Sequence, residues 1–273
     1  MFFNVLIIIL GGFGAGVVTG LAGASAATII TPLLITFTPI PAYIAITIAL
    51  LTDVCASAVS AITYKKNGNI DMSKGIWLSV FAVIGSIIGS YLSAYVNGSS
   101  LGAISAISTL LIGINFFSKS QLKRKAYFDK SFVLPEIKPK FENRPILASG
   151  FLGMLIGLVC GIVGAGGGLM ILLILTSVLA YDTKTAVGTS VLIMTFTALF
   201  GGLAHVYKIL ETGAYTDVIP VFIIGVFVSS IFAIIGAKVA AKFANAAEEY
   251  IMLLIVSCTF IVLSSVSIIA KII

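Results

Sequence analysis

Ten stretches of this chain are apolar over lengths that approach or reach a bilayer crossing, and little charge is left between them. They run approximately from 2 to 21, 25 to 38, 42 to 64, 75 to 96 and 100 to 117, then from 146 to 164, 167 to 180, 185 to 206, 217 to 243 and 249 to 270. A helix needs roughly 20 apolar residues to cross hydrocarbon. A soluble domain carries about 25% charged residues, whereas this chain has 10%, with 59% apolar residues and a mean hydropathy of +1.19. Such a chain cannot cover a water-facing surface. Backbone in lipid must satisfy its own hydrogen bonds, so the expectation is an all-α polytopic membrane protein. Secreted, nucleic-acid-binding and ordinary cytosolic roles are excluded.

Where the charges lie matters more than the net +6. Lys119, Lys123, Arg124, Lys125, Lys130, Lys138, Lys140 and Arg144 oppose only Asp129, Glu136 and Glu142, which concentrates the excess in one stretch. Cytoplasmic loops of membrane proteins are enriched in Lys and Arg. Residues 118–145 therefore read as a basic cytoplasmic linker between a first transmembrane repeat, 1–117, and a second, 146–273. Cys55, Cys160 and Cys258 are far apart, in apolar runs and without C-x-x-C spacing, so neither disulfides nor zinc sites are expected. No basic residue precedes Lys65, so the N-terminus reads as a retained membrane segment rather than a secretory signal.

The two halves share more than segment number. A shift of 141 residues, Gly12 onto Gly153, also superimposes Gly16, Gly20 and Gly23 on Gly157, Gly161 and Gly164, Ala24 on Ala165, and Ala45 on Ala186. In each half a glycine-punctuated run is followed by a piece too short to span comfortably, which reads as a helical hairpin dipping into the membrane. With the linker inside, the basic residues Lys65, Lys66, Lys74, Lys238 and Lys242 all fall inside, as the charge rule expects. Each half then makes three crossings after its hairpin. The expected architecture is two inverted repeats, each a glycine-turned hairpin plus three transmembrane helices, a common build for secondary transporters. Both termini are placed outside.

Glycines four apart let another backbone approach closely, which accounts for Gly12, Gly16, Gly20 and their counterparts. It does not account for Gly164, Gly166, Gly167 and Gly168, since each glycine inside a helix costs roughly 1 kcal/mol against alanine. A turn does. The short helix after each turn begins with unpaired N–H groups and the positive end of its dipole, an anion site that needs no cationic side chain. The candidate binding set is Gly23, Ala24, Ser25, Ala26 and Thr28 in the first half. In the second it is Gly164, Ala165, Gly166, Gly167 and Gly168, with Thr189 and Ser190 from the following helix. Thr19 is a further hydroxyl beside the first turn.

The run Gly157-Leu-Val-Cys-Gly161-Ile-Val-Gly164-Ala-Gly166-Gly167-Gly168, with Ala186-Val-Gly188-Thr189-Ser190 after it, resembles the sulfite exporter TauE/SafE family, also called TSUP. Members carry such a glycine-rich hairpin in each of two homologous halves, and the resemblance covers essentially the whole chain. The first half departs from the pattern, with Ser25, Ala26 and Ala27 in place of the glycine triplet and Ile46-Thr47-Ile48-Ala49 in place of Gly-Thr-Ser. The resemblance implies transport of sulfite, thiosulfate, sulfoacetate or related organosulfonates across the cytoplasmic membrane.

Asp53 is the only acidic residue well inside an apolar segment, and its counterpart is Met194. Intramembrane carboxylates cost roughly 2.5 to 3.5 kcal/mol on insertion scales and usually face a cavity or a partner. Two readings stand: a site for a coupling proton or cation, and a neutral side chain bonded to Thr52, Ser57 or nearby backbone. His205, beside Tyr207 and Lys208, reads as a solvated or packed interfacial side chain, with a vestibule or pH sensor as the sharper alternative. Cys160 reads as a small packing residue. Tyr43, Trp77, Tyr91 and Tyr95 read as interfacial anchors.

The expected partners are a small anion, the bilayer and a coupling proton or cation; no cofactor is called for. The leading expectation is alternating access around an anion held by helix N-termini at the midplane. An anion channel, or a cation-coupled carrier centred on Asp53, is the alternative. An enzyme is disfavoured by the lack of H-E-x-x-H, of G-x-S-x-G and of a second intramembrane carboxylate.

Overall fold

The computed structural model describes residues 2–93, 95, 98–129, 145–163, 167–213 and 218–272. Among them every regular element is helical. The first five are α1 (Phe2–Ala22), α2 (Ala27–Phe37), α3 (Ala42–Lys66), α4 (Met72–Ser93) and α5 (Gly98–Phe128). The second five are α6 (Pro145–Val163), α7 (Gly167–Ser177), α8 (Thr183–Thr212), α9 (Ile219–Ala246) and α10 (Glu249–Ile272). Each apolar stretch of the sequence thus corresponds to one helix. Asn4–Ala22, α3, α4, α8 and α9 are long and apolar enough to cross a membrane, which makes this a multi-pass membrane protein.

Local chemistry sets the ends. Asp71 caps α4 by accepting from Lys74 N–H at 3.0 Å, and Asp182 caps α8 by accepting from Thr185 N–H at 3.0 Å. Gly213, at φ +60°, ends α8 with its N–H on Ile209 O. The largest departure from the expected boundaries is at α5. α5 does not stop at residue 117 but continues to Phe128, so Lys119, Lys123, Arg124 and Lys125 lie on a helix rather than in a loop. Lys123 pairs with Glu249 at the start of α10, Ser120 donates to Tyr250 O at 3.0 Å, and Lys119 donates to Thr176 at 3.2 Å. The remaining linker residues, 130–144, lie outside the described residues, as do Gly164, Ala165 and Gly166.

The motif glycines set the closest helix contacts. α1 packs on α9 and α6 on α4. Gly12, Gly16 and Gly20 face the backbone of Ser229, Ala233 and Ala237, while Gly153, Gly157 and Gly161 face that of Leu78, Ala82 and Ser86. Both series advance in steps of four, so each pair of helices runs parallel. α3 and α8 run antiparallel instead: Thr47 meets His205, Leu51 meets Gly202, Ser57 meets Thr195 and Tyr64 meets Gly188. Exchanging α1 to α5 for α6 to α10 turns the α1–α9 contact into α6–α4, α3–α9 into α8–α4 and α2–α3 into α7–α8. The same exchange leaves α3–α8 and α5–α10 unchanged.

A methyl group tests this packing. A Cβ on Gly157 would overlap Ala82 O, and one on Gly16 would overlap Ala233 O, both immovable backbone. Gly157→Ala and Gly16→Ala are expected to destabilise the protein by about 1 to 3 kcal/mol each. Gly14→Ala on the same helix as Gly16 meets only the Ile29 side chain at 3.6 Å and is expected to be neutral. Thermal unfolding of the three purified variants in detergent checks the difference.

Candidate functional site

The first hairpin turn is built around Asp53. Gly23 takes φ +60°, a left-handed conformation that glycine adopts without strain, and its N–H closes α1 on Thr19 O at 2.9 Å. The chain then passes Ala24 and Ser25, both buried, and starts α2. There the carboxyl of Asp53, from the middle of α3, takes the Ala26 N–H at 2.7 Å on Oδ1 and the Ser25 hydroxyl at 2.5 Å on Oδ2. Neither Thr52 nor Ser57 holds this carboxyl: Thr52 shares a hydrogen bond with Ser229, and Ser57 donates to the backbone O of Asp53.

The other first-half candidates buttress the turn. Thr19 donates to Ala24 O at 2.8 Å and Thr28 donates to Ser25 O at 2.7 Å. The N-terminus of α2 therefore already carries an anion-type ligand, supplied by the protein. A carboxyl there is favoured by the helix dipole and by the unpaired N–H groups of the first turn.

The start of α7 comes up against the first turn. A Cβ on Gly168, in the first turn of α7, would overlap Gly23 O and lie 2.9 Å from Ser25 N and 2.7 Å from Met194 Sδ. Gly167 opens the same helix. Ser190 closes the contact from α8: its hydroxyl donates to Val187 O at 2.8 Å and reaches Gly23 O at 3.4 Å. The start of α7 thus meets the first turn at buried residues, and where the first half has Asp53, the corresponding residue of the second half is the thioether Met194.

The chain as a whole has relatives. A family model described as "Sulfite exporter TauE/SafE" matches residues 8–265. The chain belongs to the TauE/SafE sulfite exporter family. It is 28% identical over 251 residues to the "Probable membrane transporter protein YdhB" of Bacillus subtilis (strain 168), covering 90% of this chain and 93% of that protein. It is 24% identical over 216 residues to the "Probable membrane transporter protein YunE" of the same organism, covering 75% of this chain and 78% of that one. No solved structure matches the chain.

Other residues singled out in the sequence of this TauE/SafE chain lie elsewhere. Thr189 sits against the α3–α4 connection, its hydroxyl accepting from Asp71 N–H at 3.0 Å. Asp71 also accepts from the Tyr181 hydroxyl at 2.5 Å. Partial burial pushes the Asp71 carboxyl up, but the bonds from Tyr181 and the Lys74 N–H, with the Lys74 charge, outweigh it and hold the carboxyl below its usual range. His205 is packed rather than solvated: it is completely buried, stacked on Tyr43 with ring centroids 4.5 Å apart. Tyr43 is accordingly a core residue, whereas Trp77, Tyr91 and Tyr95 are exposed. Cys160 is buried among Ile46, Leu50 and Ala198.

Sequence reasoning missed Tyr64. The signal was present, because the shift of 141 residues that pairs the glycines also pairs Tyr64 with His205.

Proposed function

We propose that this protein is a secondary transporter that moves small sulfur-containing oxyanions across the cytoplasmic membrane by alternating access. The substrate class is sulfite, thiosulfate, sulfoacetate or another organosulfonate. In this reading the two halves are inverted repeats, 1–117 and 146–273, with a basic cytoplasmic stretch, 118–145, between them, and the anion binds where the hairpin tips meet. The observation that carries it is the contact of Gly168 with Gly23 and Ser25, which sets the N-terminal ends of α2 and α7 side by side. Discontinuous helices bind anionic groups this way at the midplane of transporters. The exchange of helix contacts between halves supports the repeat, and the family description supports the substrate class.

The two halves are not equivalent. Asp53 occupies the amide end of α2, so the substrate is assigned to the second half: the amides from Gly164 to Gly168, together with the Ser190 hydroxyl. Gly23, Ala24, Ser25, Ala26 and Thr28 then form the wall that Asp53 holds in shape, and Asp53 is the group through which a coupling proton acts. Thr189 serves the rim through Asp71.

Purified protein incubated with a panel of sulfur oxyanions tests this. A ligand at 100 times its Kd stabilises the folded state by about 2.7 kcal/mol, so sulfite, thiosulfate or an organosulfonate is expected to raise the unfolding temperature while chloride does not. Stabilisation by a monovalent cation, with none by any oxyanion, would overturn the reading in favour of a cation carrier centred on Asp53.

A further inference from the structure

Gly20 and Gly161 are counterparts, and the same side-chain position holds the carbonyl of each. The Tyr64 hydroxyl, near the C-terminal end of α3, donates to Gly20 O at 3.0 Å. His205, Tyr64's counterpart on α8, has Nε2 3.2 Å from Gly161 O. A carbonyl only accepts, so Nε2 carries the proton in this contact. Both carbonyls lie in the last turn of a helix, α1 or α6, where helix carbonyls run out of intrahelical N–H donors. Both side chains are completely buried. Polar groups at such positions are costly unless paired, and an apolar side chain of similar size would fill the same space.

The surroundings are matched as well as the bonds. Thr47 and Gly188 are counterparts under the same shift. Thr47 lies beside the smaller ring, its hydroxyl 3.3 Å from His205 Nδ1. Gly188 lies beside the larger one, where a Cβ would come within 2.9 Å of Tyr64 Cβ. Ser93 of α4 adds a second contact to His205 Nε2 at 3.3 Å. Because α3 and α8 are antiparallel, the two carbonyl contacts lie at opposite ends of that pair, each on the helix that leads into a hairpin turn.

We infer that Tyr64 and His205 are a matched pair of positioning residues. Each clamps one hairpin at its own end of the bundle, and release of one clamp with retention of the other opens the site to one side at a time. The inference rests on the alternating-access reading above. In the orientation proposed there, Tyr64 holds the cytoplasmic end closed and His205 the outer end. Losing one such bond shifts a two-state equilibrium by about 3- to 10-fold.

The test uses the full chain with Cys55, Cys160 and Cys258 replaced by alanine and one reporter, Ser57→Cys, in the middle of α3. A membrane-impermeant maleimide is added to either face of oriented vesicles. Tyr64→Phe, which removes one oxygen and keeps the ring, is expected to raise cytoplasmic labelling about 3- to 10-fold relative to outer labelling. His205→Leu is expected to shift the ratio the other way. His205→Gln, which restores an N–H donor, is expected to return it toward the parent. A parent labelled from both faces, with side ratios that neither Tyr64→Phe nor His205→Leu moves, would overturn the clamps and leave alternating access standing. A parent labelled from one face only, whatever substrate is present, would overturn alternating access and the clamps with it.

Discussion

Replacing Gly168 by alanine is expected to reduce transport to background while leaving insertion, expression and a monodisperse detergent profile intact. The added Cβ would overlap Gly23 O and sit 2.9 Å from Ser25 N, both backbone atoms of the opposing turn. Met194 Sδ, at 2.7 Å, is the end of a flexible side chain and can move aside; the opposing turn cannot. That turn is fixed by bonds from Thr19 and Thr28 to its carbonyls and by Asp53 on its amide and hydroxyl. The strain therefore falls on the contact between α7 and the first turn, and the amides of α7 leave their position at the proposed site. Nothing comparable happens to the wider fold, because Gly168 takes no part in the α1–α9 or α4–α6 packing. Substrate uptake into proteoliposomes, with Gly14→Ala as a helix-glycine control, measures the loss. Wild-type uptake by Gly168→Ala would remove the meeting of the tips from the mechanism.

The contrast between these two glycines shows what the sequence carries and what it does not. The ten helices of the described residues follow from apolar run length, and the packing glycines follow from their four-residue spacing, because both are local properties of a chain in lipid. The extension of α5 past residue 117 is invisible to hydropathy, since a helix need not end where the bilayer does. Residues 118–128 contain strong helix formers and neither Gly nor Pro. Thr189 and Ser190 look like one unit in sequence, yet neighbours on a helix are turned about 100° apart, and they face different partners. His205 looks interfacial because of Tyr207 and Lys208 beside it; its burial depends on Tyr43, Thr47, Ser93 and Gly161, all far away in sequence. Asp53 was legible as a costly residue in search of a partner. That the partner is the opening of α2 is tertiary information, joining positions 28 apart.

Asp53 is also where the second large effect is expected, and two substitutions separate its structural from its coupling role. Asp53→Leu leaves the Ser25 hydroxyl and the Ala26 N–H buried without acceptors. Each such orphan costs about 1 to 3 kcal/mol, and both belong to the one turn that shapes the tip, so folded yield and transport are both expected to collapse. Asp53→Asn keeps the acceptor for Ala26 N–H and meets Ser25 with an amide N–H, which the hydroxyl oxygen can accept after rotating its own hydrogen. The fold is then kept and only the ionisable group is lost. With a permanently neutral group at the positive end of α2, no proton can be taken up or released there. Accumulation driven by an imposed pH gradient is expected to vanish in Asp53→Asn, while counterflow of labelled substrate, which needs binding and reorientation but no net proton movement, continues. The reverse pattern, full pH-driven accumulation by Asp53→Asn, would leave Asp53 as a structural ligand of the turn and move coupling elsewhere.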